Sequence, residues 1–143
     1  MPRSSRHNAK RLGELAELAF IYRAASLGLI TMKPHGDSAP YDVVVDNGKR
    51  LLKVQVKSVS NLRPGFDMYQ IHTCHGMDPK RPYTRDEVDF LAVHPGCDAA
   101  WFIIPVEVVA GRTAIYLPRR GGRYQQYREA WQLLSVQRLK RRA

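Results

Sequence analysis

The residues PYDVVVDNGKRLLKVQVK, Pro40 to Lys57, decide the fold. Two apolar, β-branched-rich runs flank Asn47-Gly48, the strongest short-range signal for a hairpin closed by a two-residue type I′ turn. Pairing Asp46 with Lys49 predicts a register in which Val45 faces Arg50, Val43 faces Leu52, Asp42 faces Lys53 and Tyr41 faces Val54. A four-residue loop leaves that register unchanged. Side chains alternate along a strand, so Tyr41, Val43, Leu52, Val54 and Val56 share a core face, while Asp42, Lys53, Gln55 and Lys57 share the other. Gln55 then lies diagonal to Asp42, about 7–8 Å between Cα atoms. Their oxygens are near enough to hold one small hard cation between them, with Lys57 just beyond.

Before the hairpin, residues 1–7 read as a short basic arm and Asn8 to Ser26 as a helix, with Asn8 as N-cap and Gly28 as the stop. Apolar residues run almost all the way round this helix. Leu12, Leu15, Ala16, Ala19 and Phe20 form one broad face, and Leu18, Ile21 and Ala25 continue the row headed by Glu14, so the helix is expected to be well buried. A carboxylate heading an apolar row needs a cation or a hydrogen-bond donor. Periodicity does not favour Glu14 over Glu17, and an acid answering the helix dipole is the structural alternative.

Leu29 to Lys33 reads as a short strand, Pro34 to Pro40 as turn-rich chain, Phe66 to Thr73 as a strand, and Cys74 to Asp86 as a mobile surface segment. Val88 to His94 and Ala99 to Ile104 are strongly apolar runs around Pro95-Gly96, expected as central strands of a mixed sheet. Pro105 to Ala110 reads as one helical turn and Thr113 to Leu117 as the last strand. Arg123 to Leu134 is expected to be a helix burying Tyr124, Tyr127, Trp131 and Leu134. The fold class is therefore α/β or α+β: a single layered domain over residues 8–134, its mixed sheet flanked by a first and a last helix, with a basic tail at 135–143.

At 143 residues a single domain buries roughly two-thirds of its unfolded surface and needs no covalent staple. Cys74 and Cys97 are too few for a disulfide framework, and no apolar run is long enough for a signal peptide or a membrane span. A cytoplasmic location is expected. The net charge is +10, unevenly spread: residues 1–60 carry 10 basic and 5 acidic side chains, 61–118 carry 5 and 7, and 119–143 carry 8 and 1. Basic ends favour a polyanionic partner, with a solvated surface as the alternative.

Hydrolysis of a phosphodiester requires charge shielding, an activated water and help for the departing oxyanion, which a hard cation and a lysine supply. Asp42 offers an anionic oxygen, Gln55 a neutral amide oxygen, and Lys57 an ammonium for the attacking water or the developing charge. The alternative for this face is an Asp42 to Lys53 cross-strand pair.

Gly13-Glu14-Leu15-Ala16-Glu17, Pro40-Tyr41-Asp42 and Gln55-Val56-Lys57 together resemble the PD-(D/E)XK nuclease superfamily. The QxK form, the run Val88 to Val93, the run Ala100 to Pro105, and Tyr127-Arg128-Glu129-Ala130-Trp131 are similar to the small endonucleases associated with group I introns. The likeness spans residues 8–134. It implies a restriction-endonuclease-like core, with Mg²⁺ or Mn²⁺ held by Asp42, the Val56 carbonyl and water, beside the Gln55 amide read above as a further ligand, Glu14 assisting from the first helix and Lys57 acting at the attacking water. It also implies cleavage of duplex DNA by a homodimer or homotetramer, as in homing or mobile-element enzymes. Gln55 replaces the superfamily's acid, which keeps open a non-catalytic DNA-binding or oligomerisation module. A resolvase acting on branched DNA is a third reading.

Arg63, Lys80, Arg81, Arg85, Arg119, Arg120 and Arg123 lie in predicted loops or at element ends, where phosphate contacts arise. His72, Cys74, His75, His94 and Cys97 have the residue types of a zinc site, but the spacing is irregular and scattered polar side chains are the favoured reading.

Overall fold

Nine strands and one α-helix are built from the alternations just described, in a computed structural model that describes residues 5–76, 79–96 and 100–135. The elements are α1 (Ser5–Ser26), β1 (Ile30–Met32), β2 (Val43–Asp46), β3 (Leu51–Val59), β4 (Met68–His72), β5 (Cys74–His75), β6 (Arg81–Pro82), β7 (Phe90–Pro95), β8 (Phe102–Pro105) and β9 (Ala114–Pro118). A five-stranded sheet runs in the order β1-β2-β3-β7-β8. Only β3 and β7 are parallel; the other neighbours are antiparallel, so the sheet is mixed.

Each face of this sheet carries its own core, because residues alternate sides along every strand. Val43, Val45, Leu52, Val54, Val56, Ala92 and Ile103 point towards Ala16, Phe20 and Ala24 of α1 and towards Trp101, Trp131 and Leu134. Leu91, Val93, Phe102 and Ile104 point the other way, towards Ile71, Tyr83, Ile115, Leu117 and Tyr124. The second face is covered by the antiparallel ribbon β4-β9. The expected strand at 66–73 thus forms as β4, in this ribbon and outside the central sheet. The expected surface segment from Cys74 to Asp86 pairs β5 with β6 and drops Tyr83 into the core. Among the described residues α1 is the one α-helix, and no helix is long and apolar enough to cross a membrane.

The hairpin register differs from the expected one by two residues. Val43 pairs with Val54 and Asp46 with Leu51, leaving a four-residue loop from Asn47 to Arg50. A type I′ turn needs positive φ at both central residues, yet only Gly48 is left-handed, at φ 89°. Asn47 instead caps the loop with its side chain, Oδ1 accepting from the N–H groups of Lys49 and Arg50 at 3.0 and 2.9 Å. A shift of two preserves parity within the paired strands, so Val43, Leu52, Val54 and Val56 keep the core face; Tyr41, expected there too, lies beyond the ladder and lines a cavity with Asp42 instead.

Two helical expectations are corrected. The first helix starts at Ser5, so Asn8 is not its N-cap; residues 1–4, and 136–143 of the expected tail, lie outside the described residues. This helix is not well buried either: Ala16, Phe20 and Ala24 face the sheet while Leu12, Leu15, Leu18 and Tyr22 are exposed. The stretch from Arg123 to Leu134 is no α-helix but two short 3₁₀ turns, Gln125–Tyr127 and Trp131–Leu133. Arg128 is extended and Glu129 left-handed between them, at φ 52°. There the chain pairs with the outer edge of β8, Arg128 bridging Phe102 and the Glu129 N–H donating to the Trp101 carbonyl at 2.6 Å. A continuous helix would keep Tyr124, Tyr127, Trp131 and Leu134 on one side; the break sends Tyr124 and Tyr127 to one core and Trp131 and Leu134 to the other.

Candidate functional site

β3 positions the site through its two backbone edges. The carbonyls of Lys53 and Val59 accept from Asp89 and Gly96 on the β7 side, and successive residues alternate edges, so Val54 and Val56 face β2. β2 begins at Val43, two residues short of the position that would pair with Val56. Asp42 fills that gap with its side chain: its N–H donates to the Val54 carbonyl and its Oδ2 accepts from the Val56 N–H, both at 2.9 Å. The N–H and C=O of one strand residue point to the same edge, so the Val56 carbonyl also opens beside Asp42. The paired register stops at Val43, so Asp42 lies just beyond the ladder, while Gln55 and Lys57 share one face of β3 and Lys57 is near enough to act on Asp42 electrostatically.

Burial raises the Asp42 pKa above the usual carboxylate range. The Val56 N–H works against this, Glu17 adds to it, and the ammonium groups of Lys57 and Lys33 partly offset it. Oδ1 accepts no hydrogen bond from the described residues. A half-buried carboxyl with one oxygen unengaged and a carbonyl on the same strand edge suits a hard cation that prefers oxygen ligands. Among the described residues no three His, Cys, Asp or Glu side chains converge in a metal-binding group, so such a cation would rest on Asp42 with Gln55 and Val56 as neutral donors. Because the charged carboxylate is disfavoured by its surroundings, Asp42→Asn is expected to raise the melting temperature by a few degrees near pH 8 without divalent ions. The raised carboxyl binds its proton more tightly in the folded state, so this gain should shrink as pH falls through its titration. A pH series of thermal melts on both proteins checks the sign.

A cavity of about 300 Å³ opens between α1 and this corner, lined by Lys10, Glu14, Glu17, Lys33, Asp37 and Asp42 among others. Glu14 is at its exposed rim, whereas Glu17 is half-buried and binds Lys33 at 2.9 Å. That bond raises the Lys33 pKa. Glu17 is the helix acid that acts on Asp42 electrostatically. Helical spacing puts Lys10, Glu14 and Glu17 on one flank, the signal that already tied Glu14 to Glu17. Lys33 could not be read from the sequence, because its role depends on β1 pairing with β2 and not on any local pattern. Lys57 lies with its Nζ 5.2 Å from the centre of the Tyr83 ring, a cation–π contact the sequence gave no means of locating.

The basic candidates do not gather at one place. Arg119 and Arg120, with Arg128 and Tyr69, line a cavity of about 570 Å³ at the end of β7, and Arg119 lies 3.4 Å from Asp67. Arg63 sits over the rings of Phe66 and Tyr116. Arg81 and Arg85 line a separate apolar hollow beside Tyr83, while Lys80 and Arg123 are exposed. Of the scattered histidines and thiols, Cys74 is buried, His72 exposed, His75 beside Glu87 at 2.8 Å and His94 against Trp101. Cys97 lies outside the described residues.

The chain is similar in structure to I-Ssp6803I, a bacterial homing endonuclease, at 31% identity and TM-score 0.71, over 87% of this chain and 91% of that one. It is also similar to Hjc, a Holliday junction resolvase from the archaeal hyperthermophile Archaeoglobus fulgidus, at 16% identity and TM-score 0.49, over 75% of this chain and 84% of that one. No curated protein matches significantly. The family model described as PD-(D/E)XK endonuclease matches residues 7–134, a span that holds nearly all of α1, both cores and Asp42, Gln55 and Lys57; the chain belongs to that family.

Proposed function

We propose that the chain is a Mg²⁺- or Mn²⁺-dependent endonuclease that hydrolyses phosphodiester bonds of duplex DNA, a cytoplasmic enzyme of the homing or mobile-element kind that works as a homodimer or homotetramer. The observation that carries this reading is the corner at the open end of β2, where the Val56 N–H pins Asp42 against the strand that carries Gln55 and Lys57.

A bound divalent cation supplies phosphoryl charge shielding and a lowered water pKa at this corner. Asp42, the Gln55 amide oxygen and the Val56 carbonyl would hold it. The Asp42 to Val56 hydrogen bond fixes the carboxylate before substrate arrives, so little reorganisation is needed during the reaction. Lys57 as an ammonium orients the attacking water or stabilises the charge that develops; to take the water's proton it must first give up its own. Glu14 and Glu17 stand on the helix flank beside the carboxylate, where either can accept a hydrogen bond from water. The basic loops would take backbone phosphates, which makes binding fall steeply with salt.

The neutral charge of Gln55 favours a second reading, a DNA-binding module without catalysis. The two separate in one assay: clean protein should nick supercoiled plasmid across a Mg²⁺ and Mn²⁺ series, and EDTA should abolish nicking. Binding without cleavage under every condition would favour the second reading. Comparing four-way junctions with linear duplex tests the branched substrate.

A further inference from the structure

We infer that Tyr83 is the positioning residue of Lys57: its ring, anchored next to the β5-β6 ribbon, fixes where the ammonium sits within electrostatic reach of Asp42. Lys57 is half-buried on β3, and its flexible four-carbon stem allows the charge many placements. Among the described residues its ammonium takes part in no hydrogen bond or salt bridge. The directional contact it does make is with Tyr83, Nζ lying 5.2 Å from the ring centre, inside the roughly 6 Å reach of a cation–π interaction. Asp42 also attracts Lys57, but charge attraction without a hydrogen bond sets no direction. An ammonium held by Asp42 alone would be released once a divalent cation neutralised that carboxylate. The negative face of a neutral ring is not cancelled in that way.

The ring is itself held firmly. Tyr83 is 6% exposed, in the core on the side of the sheet that Lys57 shares. Its N–H donates to the Thr73 carbonyl at 3.2 Å. Thr73 is buried in turn, its N–H donating to the Thr113 carbonyl at 2.9 Å and its hydroxyl to the Arg112 carbonyl at 2.6 Å. His75 of β5 stands edge-on to the ring, 4.2 Å between centres, with its Nε2 2.8 Å from the Glu87 carboxylate. Glu87 accepts from the Thr84 hydroxyl at 3.0 Å. Chain on both sides of Tyr83 thus packs or braces it, so the ring can serve as a fixed seat for a mobile charge. Placement matters because a misplacement of about 1 Å costs on the order of 10²-fold in rate. The consequence for catalysis rests on the endonuclease reading above; the contact with Lys57 does not.

The test compares Tyr83→Leu, which fills the core without a π face, with Tyr83→Phe, which keeps the face and loses only the hydroxyl. Ile71→Ala, a cavity in the same core, serves as the control for lost stability. All are measured below their melting ranges. In NMR spectra of the full chain, the Lys57 ε-methylene protons should be shifted upfield by the ring current in wild type and Tyr83→Phe, and should return to the ordinary lysine position in Tyr83→Leu. Single-turnover nicking by Tyr83→Leu should fall on the order of 10²-fold with DNA affinity unchanged, while Tyr83→Phe and Ile71→Ala stay near wild type. An ordinary Lys57 resonance in wild type, or equal nicking loss in Tyr83→Phe and Tyr83→Leu or in Ile71→Ala and Tyr83→Leu, overturns the inference. A wild type that does not nick counts against the endonuclease reading, and the Lys57 resonances then decide the positioning by themselves.

Discussion

Lys57→Ala is expected to slow Mg²⁺-dependent nicking about 10³-fold, the range for a group that transfers a proton or stabilises charge in the transition state. Asp42→Ala should cost at least as much, since it removes the anionic oxygen of the corner and leaves the Val56 N–H without its acceptor. DNA binding should persist in both, because phosphate contacts come from many basic groups, and loss of one charge lowers the salt slope only by about one. Lys57→Arg divides the roles of the ammonium. A guanidinium keeps its charge but cannot give up its proton near neutral pH, so partial rescue assigns charge stabilisation, and none leaves proton transfer or exact placement over Tyr83. Single-turnover nicking alongside fluorescence-anisotropy binding makes the separation. Undiminished cleavage by both alanine variants would sink the assignment of this site.

The largest effect on stability is expected from Phe20→Ala. Phe20 is fully buried, stacked on Trp131 at 5.4 Å between ring centres and edge-on to Trp101 at 5.7 Å. Those three rings join α1 to β8 and to the C-terminal segment. Truncation should cost about 3–5 kcal/mol, seen as a lower urea midpoint at unchanged m value and a melting temperature reduced by about 10 °C or more. The same ring seats the helix that carries Glu14 and Glu17. Nicking should therefore fall even below the melting range, and Phe20→Leu, which keeps more of the volume, should restore much of both.

The division of β3 into a core face with Leu52, Val54 and Val56 and a second face with Gln55 and Lys57 was legible because it depends only on strand parity, and parity survives the two-residue change in register. The register itself was not, since Asn47 closes the loop through its side chain and the Asn-Gly pair was read as a backbone turn. Strand runs in the central sheet were recovered because uninterrupted apolar stretches such as Leu91 to Val93 have few other places to go. The stretch from Arg123 to Leu134 misled for the opposite reason: Tyr124, Tyr127, Trp131 and Leu134 are helically spaced, but they serve two cores, and the local pattern carries no information about which. Likewise the apolar residues around α1 led to an expectation of burial on all sides, whereas the chain buries the face with Ala16, Phe20 and Ala24 and leaves Leu12, Leu15, Leu18 and Tyr22 exposed. Glu17, Lys33 and Tyr83 join the site through tertiary contacts alone.

The segment at Arg128 and Glu129 also decides how the central sheet can grow. By pairing with Phe102 and Trp101 it shuts the β8 side to any incoming strand, while the other margin, β1, is only three residues long. One margin is sealed and the other is too short to template an extended ladder. Copies of this chain are thus steered away from open-ended strand addition at the central sheet, however high their local concentration.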